Sequence, residues 1–191
     1  MTDYNLYKKI IKNINSNINK TAIINDNGNK ISYYELKKYV ENLSYNLLKN
    51  IKHRNPKLLI LLDNSEFLVY LLLACSKLHF LNSPINASLK IDQIYKICKL
   101  IKFTHIITTK KNVSTTRIKN DLNINIIFIE DLLSKNKSYK LNRKNYYNLN
   151  DDFIITFSSG STGSPKPILL TQKIKIKRAR HAIEIYKIKK N

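Results

Sequence analysis

Five consecutive apolar residues, Leu58-Leu59-Ile60-Leu61-Leu62, follow Pro56 and precede the polar pair Asp63-Asn64. A strand sends alternate side chains to opposite faces, so a run that is apolar at both parities must be covered on both sides. That requirement predicts an α/β fold: a layered, largely parallel sheet flanked by helices. The neighbouring segments supply the expected partners. A helix is expected before the run, from Ser32 to about Asn50, opened by the capping-box spacing Ser32-Tyr33-Tyr34-Glu35. After it come a helix from about Ser65 to Leu78, an extended piece at Leu81 to Pro84, a helix from about Ser88 to Ile101, and a strand at His105 to Thr108. Strands alternating with helices at such lengths point to parallel pairing.

The remaining segments are read in the same way. Tyr4 to Ile14 has the three-and-four apolar spacing of a lead-in helix. Thr21 to Ile24 and Lys30 to Ser32 flank Asp26-Asn27-Gly28-Asn29, where the Asn-Gly pair suits a tight hairpin turn. Asn125 to Ile129 and Phe153 to Phe157 are expected strands, with Pro167 to Thr171 after the second, and the polar stretch Ser134 to Asn150 is expected to be a surface loop. From Gln172 to Asn191 the pattern is mixed: Ile174 and Ile176 alternate like a strand, while Ala182, Ile185 and Tyr186 are spaced like a helix, the favoured reading.

At 191 residues with 43% hydrophobic content the chain can bury one ordinary core. Its 34 Lys and Arg against 13 Asp and Glu leave a net charge of +21. Such an excess suits a polyanion, but the lysines, among them Lys8, Lys37, Lys57 and Lys90, are scattered, and no recognition motif accompanies them. The abundance of Lys, Asn, Ile and Tyr beside 3 Gly and 4 Pro matches the codon bias of an AT-rich genome, and no specific nucleic-acid partner is expected. Cys75 and Cys98 lie in apolar helical patterns and read as reduced core residues. The isolated histidines read as structural or surface groups, and the Lys173 to Arg180 run as a solvated face. No signal peptide is recognisable, and the longest apolar run, Phe67 to Cys75, is far short of the ~20 residues of a membrane span; a cytoplasmic protein is expected.

Two of the three glycines fall at Gly160 and Gly163, surrounded by Ser158, Ser159, Ser161 and Thr162 and followed by Pro165 and Lys166. Glycine lets successive backbone N–H groups turn into one concavity, hydroxyls add donors, and a lysine adds charge. Such a nest suits phosphate oxygens. Composition alone favours a flexible connection between two strands, and the order of residues is not that of the Walker A loop.

The segment Thr156 to Lys166 resembles, position by position, the serine/threonine/glycine-rich signature of AMP-binding, acyl-adenylate-forming enzymes, a superfamily that includes acyl-CoA synthetases and peptide-synthetase adenylation domains. Upstream, Ser32-Tyr33-Tyr34-Glu35-Leu36, Asn64-Ser65-Glu66-Phe67, Ser83-Pro84-Ile85-Asn86 and His105-Ile106-Ile107-Thr108 are similar to further elements of that family, in its order. Three positions depart from it. Pro167 stands where the family often has Gly, Gln172 where it often has His, and Leu78-His79 where it has Ala-Gly.

The resemblance implies that residues 1–191 correspond to a partial N-terminal AMP-binding domain, with residues 1–19 as lead-in, the phosphate loop at 156–166 and the C-terminal domain absent. It implies an ATP-dependent ligase that activates a carboxylic acid as acyl-AMP, with Mg²⁺, and passes the acyl group to coenzyme A or a carrier protein. Ser158, Ser159, Gly160, Ser161, Thr162, Gly163 and Lys166 would hold the phosphates. The family's groups for adenine, ribose, metal and lysine catalysis have no counterpart here, so the fragment is expected to be inactive alone. An inactive remnant and a basic nucleic-acid-binding protein are the alternatives.

Overall fold

The computed structural model describes residues 5–11, 18–112, 115–133, 148–158 and 165–187. In chain order they form α1 (Leu6–Ile11), β1 (Thr21–Ile24), β2 (Lys30–Ser32), α2 (Tyr33–Asn50), β3 (Lys57–Leu61), α3 (Glu66–Leu78), β4 (Leu81–Ile85), α4 (Ile91–Ile101), β5 (His105–Thr108), α5 (Thr115–Leu122), β6 (Asn125–Phe128), α6 (Ile129–Leu133), β7 (Asp152–Ser158), β8 (Lys166–Thr171) and α7 (Gln172–Ile185). The expected layered architecture is present. A six-stranded sheet runs β6-β5-β3-β4-β7-β8, with β1 and β2 as a separate hairpin. All its pairs are parallel except β7 with β8, which is antiparallel.

The apolar run behaves as its pattern requires. Leu58 and Ile60 pack into one core cluster with residues of α2 and α3, including Val40, Leu47, Leu71 and Ala74. Leu59 and Leu61 enter the other, with Ile94, Ile97 and Cys98 of α4 and Ile118 of α5. Both cysteines are free and buried. Burial raises both thiols, that of Cys98 to about 12, so neither is a thiolate near neutrality.

Local chemistry sets the element boundaries. At α2 the expected capping box is complete: Ser32 Oγ accepts from the Glu35 N–H, and Glu35 Oε2 accepts from the Ser32 N–H at 2.8 Å. The β1–β2 turn is looser than the Asn-Gly pair predicts, and in it only Gly28 takes a positive φ. The Asn25 side chain closes it instead, Oδ1 accepting from the N–H groups of Asn27 and Asn29. Asn86 acts similarly on Ser88, accepting from its N–H and hydroxyl at 2.9 Å. That competition delays α4 to Ile91, three residues beyond the expected start. Helices α5 and α6 are additions to the sequence reading. The lead-in helix is described only over Leu6–Ile11, and the expected 134–150 loop lies outside the described residues apart from 148–150.

A buried polar node ties α1 to the rest. Gln172 Oε1 accepts from the Leu6 N–H at 3.0 Å and from Ser76 Oγ at 2.8 Å. Its Nε2 donates to the Ser76 carbonyl, and Ser76 Oγ in turn accepts from the Tyr7 N–H. Asn5 Nδ2 donates to that same carbonyl and lies 3.3 Å from His79 Nε2. His79 ends α3 in the left-handed conformation, φ 57° and ψ 38°, the geometry a glycine would take at no steric cost. Burial lowers its pKa from 6.5 to about 4, against the opposing pull of Asp151.

Two outcomes follow. Ser32→Ala should lower the unfolding free energy by about 1 kcal/mol in urea titration; no change would mean that the cap is not stabilising α2. His79 binds its proton more weakly folded than unfolded, so it contributes stability present above pH 6.5 and lost as pH falls from there toward 4. His79→Asn, which keeps a residue tolerant of positive φ, should therefore show a smaller fall in Tm than the parent between about pH 7 and about pH 5. Equal falls would assign the acid sensitivity to other groups.

Candidate functional site

Strand β7 starts in the core and ends outside it. Phe153, Ile154 and Ile155 are buried, whereas Thr156, Phe157 and Ser158 are half-buried, beyond the pairing of Ile154 with β4. Strand β8 returns antiparallel, with Thr156 opposite Ile168, Phe157 opposite Pro167 and Ser158 opposite Lys166. The register is continuous past Pro167, which therefore does not displace the loop's exit. β8 is an edge strand, where a proline's missing N–H is tolerated.

Of the seven residues expected to hold phosphate, the structure describes Ser158 and Lys166 and sets them directly across the hairpin from one another, with Lys166 exposed. Ser159, Gly160, Ser161, Thr162 and Gly163, which join them, lie outside the described residues.

Position within the sheet gives this hairpin its chemical setting. β7 runs parallel to β4, so its outer end and the carboxyl ends of β3 and β4 face the same way. After β3 the chain crosses through α3 on one face of the sheet; after β4 it crosses through α4 on the other. Divergence of this kind opens a crevice at the carboxyl ends of the two strands, the usual ligand position in open α/β sheets. Here the crevice has a volume of about 290 Å³ and is lined by Leu62, Asp63, Asn64, Leu68, Pro84, Ile85 and Asn86. Asn64 and the Pro84-Ile85-Asn86 segment belong to two motifs separated in sequence, which the fold brings to one place beside the loop-bearing strand.

What holds β7 there could not be read from the sequence. Asn82 pairs with Ile154, and its Nδ2 donates to the Phe153 carbonyl at 2.9 Å. Ser83 Oγ donates to the Ile155 carbonyl, also at 2.9 Å. Both side chains are fully buried. Pro84, next on β4, brings no N–H of its own, so side-chain donors do work that a backbone ladder would otherwise do. The available signal was two polar residues in an otherwise apolar extended segment.

Gln172, at the position where the resemblance expects His, is 2% exposed and committed to the node with Ser76 and Leu6. Among the described residues no group of three or more His, Cys, Asp or Glu side chains is placed to hold a metal ion, and no helix is long and apolar enough to cross a membrane.

Comparison with known proteins agrees with this architecture. The family described as AMP-binding enzyme matches residues 11–187. A D-alanine--D-alanyl carrier protein ligase from Listeria welshimeri is 27% identical over 146 residues, covering 76% of this chain and 29% of the relative. The fold resembles ATP-bound MatB from Rhodopseudomonas palustris, with a TM-score of 0.82 at 16% identity over 94% of this chain and 37% of that one. It also resembles the Klebsiella oxytoca NpsA N-terminal subdomain, with a TM-score of 0.75 at 19% identity over 88% and 41%. The chain thus spans less than a third of the curated relative and about two fifths of these solved chains. A family match over most of the sequence, carried by a sheet whose loop-bearing hairpin stands beside the switch-point crevice, establishes that this chain belongs to the AMP-binding, acyl-adenylate-forming enzyme family.

Proposed function

We propose that this chain supplies the triphosphate-binding part of an acid–thiol ligase. Ser158, Ser159, Gly160, Ser161, Thr162, Gly163 and Lys166 hold the β- and γ-phosphates of ATP while a carboxylate attacks the α-phosphorus. The products of that step are an acyl-adenylate and pyrophosphate, and the acyl group then passes to a thiol, on coenzyme A or on a carrier protein. None of these residues is a nucleophile. Their contribution is to orient the triphosphate and to offset charge on its oxygens. Mg²⁺ would accompany ATP and neutralise part of the phosphate charge; the described residues form no site of their own for it, so no step is assigned to it.

The observation that carries this reading is the pairing of Ser158 with Lys166 at the outer end of β7, which brings together the two residues that flank the glycine-bearing segment, at the carboxyl-end side of the sheet where open α/β folds usually take ligands. The ATP bound in the MatB structure supports the nucleotide, and the Listeria relative, a carrier-protein ligase, keeps a carrier-protein thiol beside coenzyme A as acceptor.

An acyl-phosphate ester of ATP, which transfers its acyl group to a lysine near the bound phosphates, tests the loop directly. It should acylate Lys166 in preference to Lys30, an exposed lysine on β2, and free ATP should suppress the reaction at Lys166 only. Equal labelling without ATP protection would return the segment to a solvent connection. The purified 191-residue chain should not support acid-dependent exchange between ATP and pyrophosphate, because the family's adenine, ribose and lysine-catalysis elements have no counterpart in it; robust exchange would overturn this division of labour.

A further inference from the structure

Two of the three positions at which the chain departs from the pattern it resembles, His79 and Gln172, meet at the node beneath α1, and one contact there fixes a protonation state. An amide nitrogen can only donate a hydrogen bond, so the 3.3 Å contact between Asn5 Nδ2 and His79 Nε2 makes Nε2 the acceptor. The ring is therefore neutral, with its proton on Nδ1. Asn5 cannot adapt by turning its amide over. Its Oδ1 accepts from the Lys8 N–H at 2.8 Å, which caps the start of α1, and its Nδ2 also donates to the Ser76 carbonyl. A turned amide would lose the cap and set two oxygens against each other, in a residue only 1% exposed.

A proton on His79 Nε2 thus brings two donors face to face. Of the charged groups around the ring, Asp151, ahead of β7, favours that proton, while Lys8 of α1 opposes it together with burial. Lys77, on the same helix as His79, is turned instead toward Glu41 of α2 and the ring of Tyr7. Helix α7 enters the node through the uncharged Gln172.

The rest of the node keeps its bonds without α1. Gln172 Oε1 also accepts from Ser76 Oγ, and Gln172 Nε2 donates to the Ser76 carbonyl. Helix α1 has no such reserve. With six residues it is too short to persist in water by itself, and it is held by this node and by the buried Tyr7, whose hydroxyl donates to Glu41.

We propose that His79 is the release switch of α1: while the ring is neutral Asn5 and Leu6 stay seated, and protonation of Nε2 from solvent expels Asn5, frees the Leu6 N–H from Gln172 and lifts the start of α1 while the sheet stays intact. Asp151 supplies the counter-charge for the imidazolium. The sign follows from linkage. The seated ring is held at about 4, below its ordinary 6.5, so between those values the ratio of seated to released α1 falls about tenfold for each unit that the pH drops.

Solution NMR of the isotopically labelled 191-residue chain, titrated from about pH 7.5 to about pH 4, tests the switch. The Asn5 side-chain amide and the Leu6 and Tyr7 N–H signals should move to unstructured positions with one midpoint, shared with the His79 ring. Leu59 and Ile106, buried in the sheet, should hold theirs. His79→Asn offers an acceptor oxygen that does not titrate and tolerates positive φ, so it should keep α1 seated throughout. His79→Gly, which has no ring and fits the left-handed helix end, should likewise remove the pH dependence. His181→Asn, at an exposed position on α7, should keep the parent profile. Four results would each overturn the proposal: a His79 ring that titrates while Asn5 and Leu6 stay in place, an α1 that leaves with the parent profile in both His79 variants, an α1 still seated at the acid end, or an α1 that departs only together with Leu59 and Ile106.

Discussion

Side-chain donors reinforce the seam between β4 and β7, most of all opposite Pro84, which has no N–H to offer. Phe153 and Ile155 are buried, and a buried carbonyl without a donor costs about 1–3 kcal/mol. The Asn82 amide and the Ser83 hydroxyl meet both at 2.9 Å. Asn82 is fixed in turn because its Nδ2 also donates to the Phe80 carbonyl. This seam aligns β7 with the ends of β3 and β4, and β8 then returns antiparallel along β7 through its own backbone pairing.

The architecture was legible because its strongest signal was a contradiction that only one arrangement resolves. Leu58 to Leu62 cannot sit in a sheet with a wet face: α2 and α3 cover one face, and α4 with α5 covers the other. Elements with weaker apolar patterns escaped notice. Within α5 only Ile118 and Leu122 mark an inner face, and α6 is five residues long. The direction of β8 was not readable either, since a strand's period carries no sign and a short connection after β7 favours antiparallel return only once both strands are known.

The candidate site is legible through the family resemblance, since clustered glycine, hydroxyl and lysine alone favour a flexible connection; its surroundings come from long-range pairing. Asn64 and Asn86 share one crevice because α3 and α4 pass on opposite faces of the sheet. His79 shows the same limit: a histidine in the sequence gives no hint of a left-handed helix end, whereas the glycine it replaces in the family pattern would have.

The node around Gln172 joins residues that the ribosome delivers far apart. Ser76 can satisfy the Tyr7 N–H as soon as residue 76 has emerged, the separation being 69. The Leu6 N–H must wait for Gln172, 166 residues away. Long-range closures are the slow ones, and domains generally fold as their chains appear. The first helix is therefore among the last elements to be fully seated, and its contact with Gln172 reports that synthesis has passed the glycine-bearing segment.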